Sequence, residues 1–218
     1  MKILSHRGYW QCPEEKNQEV AFSRSFDLGF GCETDLRDYG GEIVISHDMA
    51  AGGEITFEKL LQIMDGRNLP LALNIKADGL AESILVLLDK YNHTNYFNFD
   101  MSIPEMVKQT NLGIRVYAPI SDIIKESFLL EKSSGVWLDS FYSVWYDNEV
   151  IEKLIDSGLD VCIVSSELHG RSYEKQWGDL KNNKFVGSSR LLLCTDRPEE
   201  AAGYFERCNE FSGSKQST

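Results

Sequence analysis

The chain lacks the patterns by which several protein classes are recognised. Its cysteines include no C-x-x-C pair and no spacing typical of a metal-binding motif; the five are Cys12, Cys32, Cys162, Cys194 and Cys208. An odd, scattered set is typical of reduced, buried thiols in a cytosolic protein and not of a disulfide framework. No G-x-G-x-x-G follows the first apolar run, so the usual fingerprint of a dinucleotide-binding fold is missing.

Long apolar runs and an excess of basic residues are also missing. No run is long enough to span a membrane, and the first residues lead into polar ones without the apolar core of a signal peptide. Lys and Arg number 22 against 34 Asp and Glu, giving a formal net charge of −12. This charge argues against nucleic acid as the main partner and against stable anchoring to anionic membranes. We therefore expect a soluble, cytoplasmic protein with a small-molecule partner, and the oligomeric state stays open.

Three polar islands stand out in the first fifty residues, each at the end of a strand-like run. They are S-H-R-G at residues 5–8, E-T-D at residues 33–35 and S-H-D at residues 46–48. Glu33 and Asp35 are two apart, so on a strand they face the same side. Two adjacent carboxylates are costly unless a cation or a shared proton relieves them. Oxygen ligands suit a hard divalent cation such as Mg²⁺ or Ca²⁺.

The same islands contain groups suited to phosphate chemistry. A histidine can give or take a proton near neutral pH, so His6 and His47 are candidates for a general acid and a general base. Arg7 offers a planar fork of donors to phosphate oxygens. Lys76 ends a nearly all-apolar run and needs an anionic partner there. That partner is either a substrate phosphate or a structural carboxylate. Together these groups suit metal-assisted attack on a phosphate ester.

Strand-like runs alternate with helical ones along the whole chain. The eight main strand predictions are Lys2–Leu4, Cys32–Leu36, Leu69–Lys76, Asn95–Ser102, Gly113–Ala118, Gly135–Asp139, Leu159–Val164 and Arg190–Cys194. Residues 42–46 form an additional return strand, and helices are predicted between the strands, including one after Ser121. The pattern predicts an α/β fold, a single (β/α)₈ TIM-type barrel, with an open doubly wound sheet as the alternative.

The order of the motifs resembles that of the glycerophosphodiester phosphodiesterase family of PLC-like barrels. The similar segments are H-R-G at 6–8, E-x-D at 33–35, H-D at 47–48, residues 55–61, L-N-I-K at 73–76 and T-D-R-P at 195–198. The resemblance implies a barrel over residues 1–211 that hydrolyses a phosphodiester. It also implies that His6 and His47 form the acid/base pair, Arg7 and Lys76 bind phosphate, and Glu33 and Asp35 bind the metal.

Two departures from the family pattern bear on the substrate and the metal. Asn74 stands where the family usually has a third metal carboxylate; its carbonyl can still bind a hard cation, and Asp139 is a candidate replacement acid. The insertion that usually follows the H-D motif is reduced to about Met49–Glu54, which indicates a larger or different substrate. The alternatives are therefore a phospholipase D-like lyase that releases a cyclic phosphate, or a catalytically silent barrel that binds a phosphorylated ligand.

The remaining candidates have structural interpretations. Asp196 and Arg197 are expected to cap and pair at the last helix. The aromatic residues Trp137, Phe141, Tyr142 and Trp145 line a substrate entrance or pack in the core. His93 and His169 lie outside the motifs and are expected at the surface. Residues 212–218 are small and polar and are expected to be disordered.

Overall fold

The structure is a computed structural model and describes residues 1–206. Within this range the strands are β1 Lys2–His6, β2 Gly31–Tyr39, β3 Glu42–Ile45, β4 Leu71–Ile75, β5 Tyr96–Phe99, β6 Tyr117–Ile120, β7 Gly135–Leu138, β8 Asp160–Val164 and β9 Leu191–Thr195. The α-helices are α1 Glu19–Asp27, α2 Phe57–Met64, α3 Ala81–Lys90, α4 Ile103–Asn111, α5 Asn148–Asp156, α6 Glu174–Leu180 and α7 Pro198–Glu206. The predicted disordered tail at 212–218 lies outside the described residues.

Eight parallel strands form a nearly closed barrel. Their order around it is β5, β4, β2, β1, β9, β8, β7, β6, and β3 folds back on β2 as an antiparallel hairpin. Between β5 and β6 a single parallel bridge joins Asn98 to Val116, and the Asn98 N–H donates to the Arg115 carbonyl at 2.8 Å. The predicted (β/α)₈ barrel is thus confirmed, and the open sheet is excluded. We call the rim formed by the C-terminal ends of the eight parallel strands the mouth.

Apolar side chains fill the barrel and the layer between strands and helices. All five residues of β4 are buried, as predicted for a strand covered on both faces. Inside the barrel, Phe97 stacks on Tyr117 with ring centroids 3.6 Å apart, and Phe99 stacks on Trp137 at 3.9 Å. Trp137 therefore belongs to the core and does not line the entrance. These rings fill the barrel interior, and barrel enzymes carry their active sites at the C-terminal ends of the strands, which here form the mouth.

Local signals set the helix starts. The Thr56 hydroxyl accepts the Lys59 N–H at 3.1 Å at the start of α2, and the Asp147 carboxylate accepts the Val150 N–H at 3.1 Å at the start of α5. Ser102 does the same for α4, where Pro104 stands in the first turn. Each cap satisfies an N–H that would otherwise lack an intrahelical partner.

The helix predicted after Ser121 is wrong. The chain there forms bends and a single 3₁₀ turn at Leu130–Lys132. The Ser121 hydroxyl accepts the N–H groups of both Ile123 and Ile124, and this local capture competes with helical hydrogen bonding. The fifth predicted strand was also placed too early, because Gly113, at φ 76°, ends α4 and the strand begins at Tyr117.

Candidate active site

A strained turn at the end of β1 sets the position of His6 and Arg7. Arg7 has a φ of 59°, its N–H donates to the Glu33 carbonyl, and its carbonyl accepts from the Asn17 N–H, both at 2.9 Å. Gly8 follows with a φ of 84°, and a Cβ there would lie 2.7 Å from the Ala21 Cβ. A side chain is therefore excluded at Gly8, and the neighbouring bonds hold Arg7 in a conformation that most residues avoid.

Strand register brings the predicted site residues together at the mouth. His6 of β1 is the register partner of Glu33 in β2, and Asp35 is the partner of Asn74 in β4. Register partners in parallel strands project side chains to the same face, and Glu33 and Asp35 share a face because they are two apart. Lys76 follows β4 directly, so its side chain joins the same group.

Asp35 is the electrostatic centre of this group. Its Oδ1 lies 3.5 Å from Lys76 Nζ, and its Oδ2 lies 3.2 Å from Arg7 Nε. The Asn17 side-chain amide also donates to Oδ2 at 3.0 Å. Asp35 is fully buried, and two cations compensate its charge. The two residues predicted to bind phosphate therefore face Asp35 in this structure.

Glu33 lies beside this ion cluster and is also buried. Burial raises the pKa of the Glu33 carboxyl to about 7, and the nearby charge of Asp35 also raises it. The positive charges of His6, Arg7 and Lys76 lower this pKa and offset part of the shift. His6 Nε2 is 3.9 Å from Glu33 Oε2. The site therefore favours a protonated Glu33 until a further cation arrives.

Three buried oxygens at this point accept no hydrogen bond from residues 1–206. They are Oε2 of Glu33, Oδ1 of Asp35 and Oδ1 of Asn74; Lys76 faces the second of them as an ion pair without hydrogen-bond geometry. Within the described chain no three His, Cys, Asp or Glu side chains form a metal-binding group. Two carboxylates and an amide, each with an oxygen that accepts no hydrogen bond within residues 1–206, fit a hard divalent ion.

Both predicted catalytic histidines are held through Nδ1. His6 Nδ1 lies 2.7 Å from Asp196 Oδ1, and His47 Nδ1 lies 2.9 Å from Asp48 Oδ1. A carboxylate can only accept, so each Nδ1 carries the proton and each Nε2 is left free for proton exchange. The hydrogen bond from His47 lowers the pKa of Asp48. Asp196 was predicted to cap the last helix, but here its carboxylate orients His6. Arg197 forms an ion pair with Glu200 in that helix.

Two histidines differ from their surface predictions. His93 is only 5% exposed; its Nε2 lies 3.2 Å from the Asn95 carbonyl, and burial lowers its pKa. His169 is partly buried at the mouth, and its Nε2 lies 2.7 Å from Asp139 Oδ1. Sequence reasoning missed this pair, although both residues follow strands at the catalytic rim of a barrel. Asp139 remains a predicted metal ligand, and here its Oδ1 contacts His169 and accepts the Ser140 N–H.

The fold was compared with known proteins. No family sequence model matches the chain, and no curated protein sequence is significantly similar to it. Among solved structures, a glycerophosphodiester phosphodiesterase from Agrobacterium tumefaciens aligns with a TM-score of 0.67 over 94% of this chain and 99% of its own, at 16% identity. A phosphodiesterase from Oleispira antarctica, in complex with the product sn-glycerol-3-phosphate, aligns with a TM-score of 0.66 over 94% of this chain and 97% of its own, at 15% identity. The chain has the glycerophosphodiester phosphodiesterase fold.

The resemblance predicted from the motifs is thereby confirmed at the level of the fold. A spore coat polysaccharide biosynthesis protein from Bacillus subtilis also aligns, with a TM-score of 0.57 and 8% identity over 97% of this chain and 68% of that one. Proteins of different roles share this barrel, so the function has to be argued from the site. Among residues 1–206, no helix has both the length and the apolar character needed to cross a bilayer.

Proposed function

We propose that the chain is a metal-dependent phosphodiesterase that hydrolyses a glycerophosphodiester or a related small phosphodiester. One observation carries the proposal: two histidines bound through Nδ1 stand at a mouth that also holds two cationic side chains and three buried oxygens that accept no hydrogen bond within residues 1–206. The solved relatives of the same fold include phosphodiesterases, one of them with a phosphorylated glycerol product, and this supports a phosphoric diester as the substrate.

Arg7 and Lys76 would bind the phosphate. Both are partly exposed at the mouth, whereas the Asp35 carboxylate between them is buried. A phosphate can therefore approach the two cations from the solvent side while Asp35 keeps them in place. The formal net charge of −12 makes this local positive pair necessary for an anionic substrate.

Glu33, Asp35 and Asn74 would hold the divalent ion. When bound, such an ion supplies Lewis-acid stabilisation of the charge on a phosphate oxygen. Binding requires the ionised form of Glu33, whose pKa lies near 7 in the unliganded site. Metal affinity should therefore fall as the pH drops below about 7.

His6 and His47 would move the protons. One Nε2 removes the proton of the attacking hydroxyl, which belongs to water or to a neighbouring substrate group. The other ring has to start doubly protonated, and it gives its Nε2 proton to the leaving alcohol. Asp196 and Asp48 fix the tautomers that this exchange requires, and they stabilise each ring while it is charged.

The test is hydrolysis of bis(p-nitrophenyl) phosphate and a panel of glycerophosphodiesters with Mg²⁺, Ca²⁺, Mn²⁺ or chelator. Wild type should be active only with metal, and His6→Ala and His47→Ala should each lose roughly 10²-fold or more in turnover with the fold intact. Lys175→Gln, a surface change on α6, is the control. Near-wild-type turnover in His6→Ala would rule out this mechanism. Phosphorus NMR of the product separates a cyclic phosphate, the lyase outcome, from an open monoester.

Asn74 supports a second candidate, a silent barrel that binds a phosphorylated ligand. It brings no charge, and the neighbouring Asp35 is already compensated by two cations. Such a binder would hold sn-glycerol 3-phosphate equally well with metal and with chelator and would show no turnover with any metal. Metal-dependent turnover that disappears in His47→Ala would exclude it.

A further inference from the structure

A third histidine–carboxylate pair lies at the mouth, across the barrel from β2 and outside the proposed machinery. Asp139 follows β7 and is 8% exposed, and His169 lies in the 3₁₀ turn Ser166–His169 that follows β8. His169 Nε2 lies 2.7 Å from Asp139 Oδ1, and the same oxygen accepts the Ser140 N–H at 2.6 Å. The carboxylate is thus fixed by its own backbone and in turn fixes the imidazole.

The pair presents the opposite nitrogen from His6 and His47. Because Asp139 can only accept, His169 Nε2 carries the proton, and Nδ1 is left as an acceptor. Nδ1 makes no hydrogen bond to any residue in the described range 1–206. A neutral imidazole held in this way offers its lone pair to a ligand that donates a hydrogen bond.

An aromatic ring and two polar side chains border the His169–Asp139 pair; the polar ones are Ser140 and Arg171, whose Oγ and Nε are buried and have no hydrogen-bond partner within residues 1–206. The Phe141 ring lies 5.2 Å from the imidazole, centroid to centroid. Asp122 holds the loop that carries Phe141 by accepting the N–H groups of Phe141, Tyr142 and Ser143 at 2.7–3.2 Å. A ligand therefore meets a preformed surface with an aromatic face and an exposed acceptor.

We propose that His169, held by Asp139, forms an alcohol subsite that binds hydroxyl groups of the phosphodiester. The inference rests on the proposed function, since Arg7 and Lys76 would place the phosphate across the opening. The acceptor at Nδ1 favours a hydroxyl donor, and the Phe141 ring packs against the carbon chain of the alcohol. A quaternary ammonium group has no proton to donate to His169 Nδ1.

The test measures binding, so it does not depend on turnover. Calorimetry would compare sn-glycerol 3-phosphate with inorganic phosphate for wild type, His169→Ala and His169→Asn. Wild type should prefer the glycerol ester, and His169→Ala should lose about 3- to 10-fold of that preference, the effect of one hydrogen bond. Phosphate affinity should stay constant. Asn restores an acceptor near the position of Nδ1 and should recover part of the preference.

The controls separate this proposal from the proposed function. Tyr142→Ala, an exposed change in the same loop, should leave both affinities unchanged, and thermal unfolding checks that each variant is folded. An unchanged preference in His169→Ala, or equal losses for both ligands, overturns the subsite even if the diesters are hydrolysed. If wild type prefers the glycerol ester but shows no turnover, and His169→Ala loses that preference, the subsite is supported and the hydrolase is rejected.

Discussion

The two halves of the mouth treat their carboxylates differently, and we name each half by that difference. On the β7–β9 side, Glu167 accepts the hydroxyls of Ser165 and Thr195 and the N–H of Asp196, and Asp139 accepts two donors. On the β1–β4 side, buried oxygens of Glu33, Asp35 and Asn74 accept no hydrogen bond within residues 1–206. We call these the satisfied half and the unsatisfied half.

The difference indicates which half awaits a ligand. Each buried oxygen without a donor costs about 1–3 kcal/mol, and folded proteins retain such costs mainly at functional sites. On the satisfied half the Ser140 hydroxyl and Arg171 Nε are buried without a hydrogen-bond partner within residues 1–206, but the carboxylates are satisfied, so this half can act as a fixed support for Asp196 and, through it, His6. The unsatisfied half becomes complete only when a cation and a phosphate enter.

The largest expected effect comes from removing the acid with the raised pKa. Between about pH 4.5 and 7, native Glu33 keeps a proton that the unfolded chain has lost, so the free energy of unfolding falls as pH rises through this window. Glu33→Gln abolishes the fall. In chelator at pH 8 the variant should be more stable than wild type by up to about 3 kcal/mol, with little of this gain at pH 4.

Denaturant unfolding at several pH values checks this prediction. Glu19→Gln is the matched control, because Glu19 is exposed and its ion pair within residues 1–206 is with Lys59 at 3.4 Å; its stability should stay within about 0.5 kcal/mol of wild type. If Glu33→Gln and wild type lose stability in parallel between pH 5 and 8, the raised pKa of Glu33 is not the cause of the pH dependence. Saturating Mg²⁺ or Ca²⁺ should reduce the wild-type pH dependence, because a bound cation favours the carboxylate.

A second change adds charge to the unsatisfied half. Asn74→Asp supplies a third carboxylate next to Asp35, its register partner, and should tighten Mg²⁺ or Ca²⁺ binding by roughly 10-fold or more because ligand charge sets the affinity of such sites. In chelator the same variant should unfold at a lower temperature, since the carboxylates repel. Calorimetry measures the affinity, with Asn74→Ala as the comparison. Equal affinities for all three proteins would place Asn74 outside the metal site.

The parts of this picture that the sequence predicted are those decided by local pattern. Alternation of strands and helices indicates a barrel, and a barrel gathers its strand ends at one rim, so Glu33, Asp35 and Lys76 were predicted together. The hydrogen-bond partners of the histidines were not predicted, because Asp196 lies 190 residues from His6 and Asp139 lies 30 residues from His169 in the sequence. Such pairs form only when the barrel closes. The helix predicted after Ser121 failed for the opposite reason, since one hydroxyl redirected the chain locally.

The smallest expected effect tests the satisfied half through Glu167→Gln. The amide oxygen of Gln can still accept from Thr195 and Asp196, but its NH₂ group faces Ser165 Oγ, which already accepts the Trp177 indole N–H at 2.8 Å. The Ser165 hydroxyl proton then loses its acceptor, at a cost of about 1 kcal/mol and a melting temperature lower by roughly 2–4 °C. Turnover should fall only a few-fold, because Asp196 keeps its backbone hydrogen bond and His6 keeps Asp196. A loss as large as that of His6→Ala would mean that Glu167 controls the position of His6 directly and that this half is not a passive support.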